Sequence, residues 1–169
     1  MRKIEYPVYL VELAQDIAKI RSALSKDVYS EGTDKHRGGR EHTVSTYGVL
    51  GELIAHHVIH AKFERGEIYA YKFAPLVDFS PVFEPDYWYQ MSKDSPTLSV
   101  DVKCTNRDFW SINKSSHDNK ECDYYMMIKT ALDGKALVEF ILHSDVNLWE
   151  VKSSYTEYYY RVVHQGQYV

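Results

Sequence analysis

Pro85-Asp86-Tyr87-Trp88-Tyr89-Gln90-Met91, Ser92-Lys93-Asp94-Ser95-Pro96 and Thr97-Leu98-Ser99-Val100-Asp101-Val102-Lys103-Cys104 follow one another through the middle of the chain. Aromatic and β-branched runs flank a short set of turn residues, which is the pattern of two antiparallel strands joined by a tight connection. A tip at Lys93-Asp94 places Asp86 opposite Asp101, and facing residues on such strands have Cβ atoms roughly 4.5–5.5 Å apart. Lys103 lies two residues beyond Asp101 and shares its face, whereas Val100 and Val102 point the other way. Two carboxylates so close repel each other unless a proton or a cation lies between them. A divalent metal with a lysine beside it satisfies that demand.

The surrounding segments extend the pattern. Upstream, Thr46-Tyr47-Gly48-Val49-Leu50-Gly51-Glu52-Leu53-Ile54-Ala55 belongs to a helix expected over about Ser45 to Arg65, ending near Gly66, with Ser45 or Thr46 as its cap. Val49, Leu50, Leu53, Ala61 and His57 form its apolar stripe, Glu52 sits at the flank, and Gly51 calls for close packing of helix on sheet. Ile68 to Phe73 and Leu76 to Val82 read as strands, a helix is expected within 107–120, and Asp123-Tyr124-Tyr125-Met126-Met127-Ile128 reads as a buried strand. Asp133-Gly134 predicts a two-residue hairpin turn into a strand over Ala136 to Leu142. Asp145 is a candidate cap for a helical turn through Trp149, and Tyr155 to Val163 reads as a last strand. Tyrosines on both of its faces imply burial or an interface. Before all of this, Val8, Leu13, Ile17, Ile20 and Leu24 mark an amphipathic helix over residues 8–25, followed by a polar loop over 29–42.

Pro85-Asp86, then Asp101-Val102-Lys103, with the Gly48-x-x-Gly51-Glu52 helix before them and a buried strand after, resembles the PD-(D/E)xK nuclease superfamily over roughly residues 45–129. The stretch looks closest to its small resolvase-like and homing-endonuclease-like members. The resemblance implies an α/β fold with a restriction endonuclease-like core, a central mixed β-sheet flanked by α-helices. It implies a metal-dependent endonuclease that hydrolyses DNA phosphodiester bonds with an activated water. Asp86, Asp101 and Glu52, with the main-chain carbonyl of Val102, would hold Mg²⁺ or Mn²⁺, which prefer oxygen ligands. Lys103 would steady the attacking water or the charge developing on the phosphate. Duplex or branched DNA is the implied partner, and a homodimer is implied because each subunit would cut one strand. Asp78, in Leu76-Val77-Asp78-Phe79, competes for the first acidic position but must reach in from a neighbouring strand.

Basic residues for phosphate contact are sought in the polar loop (Lys35, Arg37, Arg40) and just beyond the Asp-x-Lys strand (Arg107, Lys114). Tyr87, Trp88 and Tyr89 are expected in the core rather than against bases. His56 and His60 share a helix face that a zinc ion could use, yet no His-Glu-x-x-His and no cysteine pair accompanies them. Packed or hydrogen-bonded histidines are therefore expected there.

Composition sets the outer limits. A chain of 169 residues, 44% hydrophobic and 14% aromatic with fifteen tyrosines, is expected to form a single packed domain over 1–169. The start of the chain lacks a signal-peptide core, and Glu12, Gln15, Asp16 and Lys19 keep the first helix out of a bilayer. Two cysteines, Cys104 and Cys122, are too few for a disulfide framework and suit a reducing cytoplasm. The net charge of −4 opposes a broad phosphate-binding face. It keeps open a second class, a catalytically inactive nuclease-fold module that binds DNA or a protein partner.

Overall fold

The computed structural model describes residues 1–28, 41–76 and 84–163. Its elements are β1 (Arg2–Glu5), α1 (Tyr9–Val28), α2 (Glu41–Glu64), β2 (Ala70–Phe73), β3 (Tyr87–Gln90), β4 (Leu98–Thr105), β5 (Phe109–Asn113), α3 (Lys114–Asp118), β6 (Tyr124–Thr130), β7 (Lys135–Leu142), α4 (His143–Val146), β8 (Glu150–Ser153) and β9 (Glu157–Val162). Residues 29–40 of the loop expected over 29–42 and most of the expected strand at 76–82 lie outside the described residues, and with them Asp78, Lys35, Arg37 and Arg40, whereas Glu41 and His42 are helical and begin α2. Among the described residues no helix is long and apolar enough to cross a membrane.

The quoted hairpin forms in the expected register. Ser95 N–H bonds to the Ser92 carbonyl at 3.1 Å across the Lys93-Asp94 tip. Tyr87 pairs with Val100, Trp88 with Ser99 and Tyr89 with Leu98. A six-stranded sheet grows around it in the order β1-β7-β6-β4-β3-β2. Its β4–β6 pair is parallel and the other pairs are antiparallel, so the sheet is mixed as expected.

Alternation along β4 divides the molecule. Val100 and Val102 face α1 and α2 and join a core that includes Leu10, Ala14, Ala18, Val49, Leu50, Leu53, Ile54, Met126 and Ile128. Asp101 and Lys103 lie beside Tyr125 and Met127 in the parallel register, on the other face. That face packs on a second, antiparallel sheet in the order β5-β9-β8, through Trp110, Ile112, Tyr125, Met127, Ile141, Trp149 and Tyr159. The main sheet is therefore covered by helices on one side and chiefly by a small sheet on the other. Helices on both faces would have left no place for the inward-facing Trp110 and Ile112.

Several local expectations are corrected. The helix α2 already runs through Ser45 and Thr46, so neither caps it. Its end is as expected: Gly66 adopts φ +69°, and Glu67 N–H reaches the Lys62 carbonyl at 2.9 Å. Between the helices, α1 buries Leu10, Ala14 and Ala18, whereas Val8, Leu13 and Ile20 are exposed. Ile17, from the expected stripe, packs against the same core. On α2, Ile54 and Ile59 are buried and His57 is exposed. The segment 107–120 holds β5 and only the short α3, whose N-terminus is capped by Asn113 Oδ1 accepting from Ser116 N at 3.0 Å. The β6–β7 connection is longer than two residues: Thr130 pairs with Ala136, and Leu132 and Gly134 both take positive φ. Asp145 lies within the first turn of α4 and makes no cap, and β8 and β1 are strands that periodicity did not reveal.

Candidate active site

The end of β3 delivers Asp86. Its N–H bonds to the Val100 carbonyl at 2.9 Å, and its own carbonyl accepts from Ala74 N at 2.8 Å. Pro85 has no N–H to extend the ladder, and beside it the Asp86 carboxylate acts as an acceptor, with Oδ2 receiving Val102 N–H at 2.6 Å. Asp86 thus bonds to the backbone on both sides of Asp101. Burial pushes its pKa up to about 7, the Asp101 and Glu52 charges add to the rise, and Lys103 opposes it.

Asp101 is 1% exposed and holds two ammonium groups. Lys120 Nζ contacts Oδ1, and Lys103 Nζ lies 2.5 Å from Oδ2. Beyond the Lys103 ammonium, Oδ2 has no partner, so it is a buried carboxylate oxygen held by one ion pair. Burial raises the Asp101 pKa, but the two lysines outweigh it and the carboxyl lies below its ordinary value. For Lys103 burial lowers the pKa, and the attraction of Asp101 and Asp86 outweighs that and raises it. The Lys103 side chain is 36% exposed and that of Lys120 only 7%, so Lys103 occupies the open side of the group.

Glu52 comes from α2, the helix that covers the opposite face of β4. Gly51 makes this close approach possible, since a Cβ there would stand 2.7 Å from Cys104 Cβ and 3.2 Å from Val102 Cγ1. Both Glu52 oxygens are taken by Arg21, Oε1 accepting from Nη1 at 2.9 Å and Oε2 from Nη2 at 2.6 Å. Arg21 Nε also donates to the Leu76 carbonyl. The Glu52 charge reaches Asp86 but its oxygens serve Arg21. Among the described residues, no three His, Cys, Asp or Glu side chains are gathered as ready metal ligands. Asp86 and Asp101 nonetheless offer oxygen donors of the kind a hard cation takes, and their mutual repulsion is relieved by one.

The remaining candidates separate clearly. Arg107 is exposed with its guanidinium 5.4 Å from the Phe109 ring centre, and Lys114 pairs with Asp118 at 2.6 Å. His56 stacks on Phe73 at 3.5 Å, and His60 Nδ1 lies 2.9 Å from the Tyr71 hydroxyl, the packed and bonded roles expected of them. Tyr87 is fully buried, Tyr89 packs against the core, and Trp88 is half-buried with Lys72 5.7 Å from its ring.

Sequence reading missed Lys120 and Arg21. Neither belongs to a motif: Lys120 lies in the turn before β6, and only the parallel β4–β6 pairing brings that turn to Asp101. It also missed a polar chain behind the site. The Tyr125 hydroxyl is 3.0 Å from His117 Nδ1, while His117 Nε2 donates to Asn147 Oδ1 at 3.2 Å, which also accepts from Tyr159 at 3.3 Å. His143 stacks on His117 at 3.9 Å between ring centres.

The chain matches no family model, no curated protein and no solved structure.

Proposed function

We propose that the protein is a metal-dependent endonuclease of PD-(D/E)xK type that hydrolyses DNA phosphodiester bonds. The observation that carries the reading is the Asp86–Asp101–Lys103 group. There a carboxyl raised to about 7 stands beside a buried carboxylate whose one oxygen is paired only with the Lys103 ammonium on the open side. The sequence of α2, the β3–β4 hairpin, a crossover and β6 parallel to β4 supports a restriction endonuclease-like core.

In this reading Asp86 and Asp101, with the Val102 carbonyl, hold Mg²⁺ or Mn²⁺, and Glu52 adds negative charge from the helix side. When bound, the cation supplies Lewis-acid polarisation of the scissile phosphate and acidifies the attacking water. Lys103, half-buried on the open side, places a positive charge where the phosphate gains negative charge once the cation takes Asp101 Oδ2. Asp101 Oδ2 holds that ammonium until the cation arrives. Val102 N–H fixes the Asp86 carboxylate, so neither acid has to reorganise during the reaction. Arg107 and Lys114 are the described basic residues proposed to touch the DNA backbone, and a homodimer would present one such site to each strand.

The test is a cleavage screen over plasmid, duplex and branched DNA with Mg²⁺, Mn²⁺ or EDTA. Cleavage is expected with either metal and none with EDTA, and Asp101→Ala or Lys103→Ala should lower the rate by at least about a hundredfold. A second reading is a non-cleaving DNA- or partner-binding module. It is favoured by Glu52 and Asp101 both finding positive partners within the chain itself. Binding of DNA without cleavage on any substrate or metal would select it.

A further inference from the structure

We infer that Lys120 is a built-in cation at the position beside Asp101 that a second metal ion would take, so that the site admits one divalent ion. The inference rests on the metal-dependent reading above and deepens it. A second ion would need the far oxygen of Asp101 and a further carboxylate. The far oxygen, Oδ1, is held by the Lys120 ammonium, whose side chain is 7% exposed and enclosed with a carboxylate that is itself 1% exposed. The further carboxylate, Glu52, is held on both oxygens by Arg21. What remains for an incoming ion is Asp101 Oδ2, buried and paired with Lys103 alone, together with Asp86. Lys103, which covers Oδ2, is 36% exposed and has room to swing aside; Lys120 has none. Asp101 is thereby divided into a closed oxygen and an open one.

Charge supports the same division. A buried carboxylate beside a second carboxylate needs positive charge at all times, including before any metal arrives. Lys120 supplies it from the turn ahead of β6, a place fixed by the β4–β6 pairing and independent of the Asp-x-Lys strand.

The experiment is a Mn²⁺ titration of the full-length protein without DNA, followed by electron paramagnetic resonance of free Mn²⁺ and by calorimetry. Wild type is expected to bind one Mn²⁺ per chain, and Asp101→Asn none. Lys120→Met, stripped of the fixed positive charge, should bind Mn²⁺ at least about tenfold more tightly. Lys120→Arg, which keeps the charge, should bind as wild type does. Two equivalents in wild type, or a folded Lys120→Met with unchanged or weaker affinity, would overturn the inference while leaving the metal-dependent reading intact. Should Lys120→Met fail to fold, as its circular dichroism would reveal, wild-type stoichiometry and Lys120→Arg decide the matter. Absence of Mn²⁺ binding in both wild type and Lys120→Met would overturn the inference and the reading together.

Discussion

Asp86 illustrates how one residue stores the cost of a site. Its folded pKa of about 7 stands well above the ordinary carboxyl value of 3.8, so between those two values the native state holds a proton more tightly than the unfolded chain. The sign follows: in metal-free buffer Asp86 favours the fold most at the acid end of that window, and its contribution falls as pH rises towards 7. Above it, the ionised carboxylate weighs against the fold. Asp86→Asn keeps an oxygen for Val102 N–H and removes the charge. Urea unfolding without metal should find the variant more stable than wild type at pH 8, by about 1–3 kcal/mol, with the difference shrinking towards pH 4. A variant less stable than wild type at pH 8 would show that the carboxylate is accommodated without strain. At this scale the sequence was informative where geometry is local. Asp86, Asp101 and Lys103 were legible because a two-residue tip fixes a register and a register fixes a face. Lys120 was not, because its approach depends on a parallel pairing across the whole β5–α3 crossover.

Elements were legible to the extent that one periodicity dominated them. The tight approach of α2 to β4 could be read from Gly51 and is confirmed by the 2.7 Å that a Cβ would leave to Cys104 Cβ. Gly51→Ala should therefore destabilise the protein by about 1–3 kcal/mol in chemical denaturation. At Gly48, three residues earlier, an added Cβ would meet nothing within 4 Å. Gly48→Ala should be neutral or stabilise the helix by up to about 1 kcal/mol. Equal effects of the two substitutions would contradict the packing described for α2. The first helix was harder to read: its buried Ala14 and Ala18 carry little hydrophobic weight, so larger residues stood out, of which Ile17 packs on the core while Leu13 and Ile20 are exposed. In β5 the alternation of Trp110 and Ile112 with the exposed Ser111 and Asn113 is the two-residue period of a strand. That signal was present over too few residues to displace the helix implied by the family resemblance.

At the scale of the whole molecule, the small sheet and the main sheet meet around His117, which is 2% exposed. Burial lowers its pKa below the ordinary 6.5, the adjacent His143 lowers it further, and Asn147 and Asp118 oppose the change while Lys114 adds to it. A neutral buried histidine contributes stability that is present above the unfolded value and is lost as pH falls through the folded one. Thermal melts should therefore drop as pH falls below 6.5, and His117→Gln should flatten that part of the profile. An unchanged slope in the variant would place the acid sensitivity elsewhere.

The same layering puts Asp101 and Lys103 beneath the face that the small sheet covers, with Lys103 on the open side. The most direct measurement of the proposed function is the single-turnover rate of cleavage of labelled branched and duplex DNA. It compares wild type with Asp101→Asn at equal folded concentration in Mn²⁺ and in EDTA. Cleavage by wild type in Mn²⁺ alone, lowered at least about a hundredfold in Asp101→Asn, is the expected result. Equal rates for the two proteins, or cleavage that persists in EDTA, would contradict it.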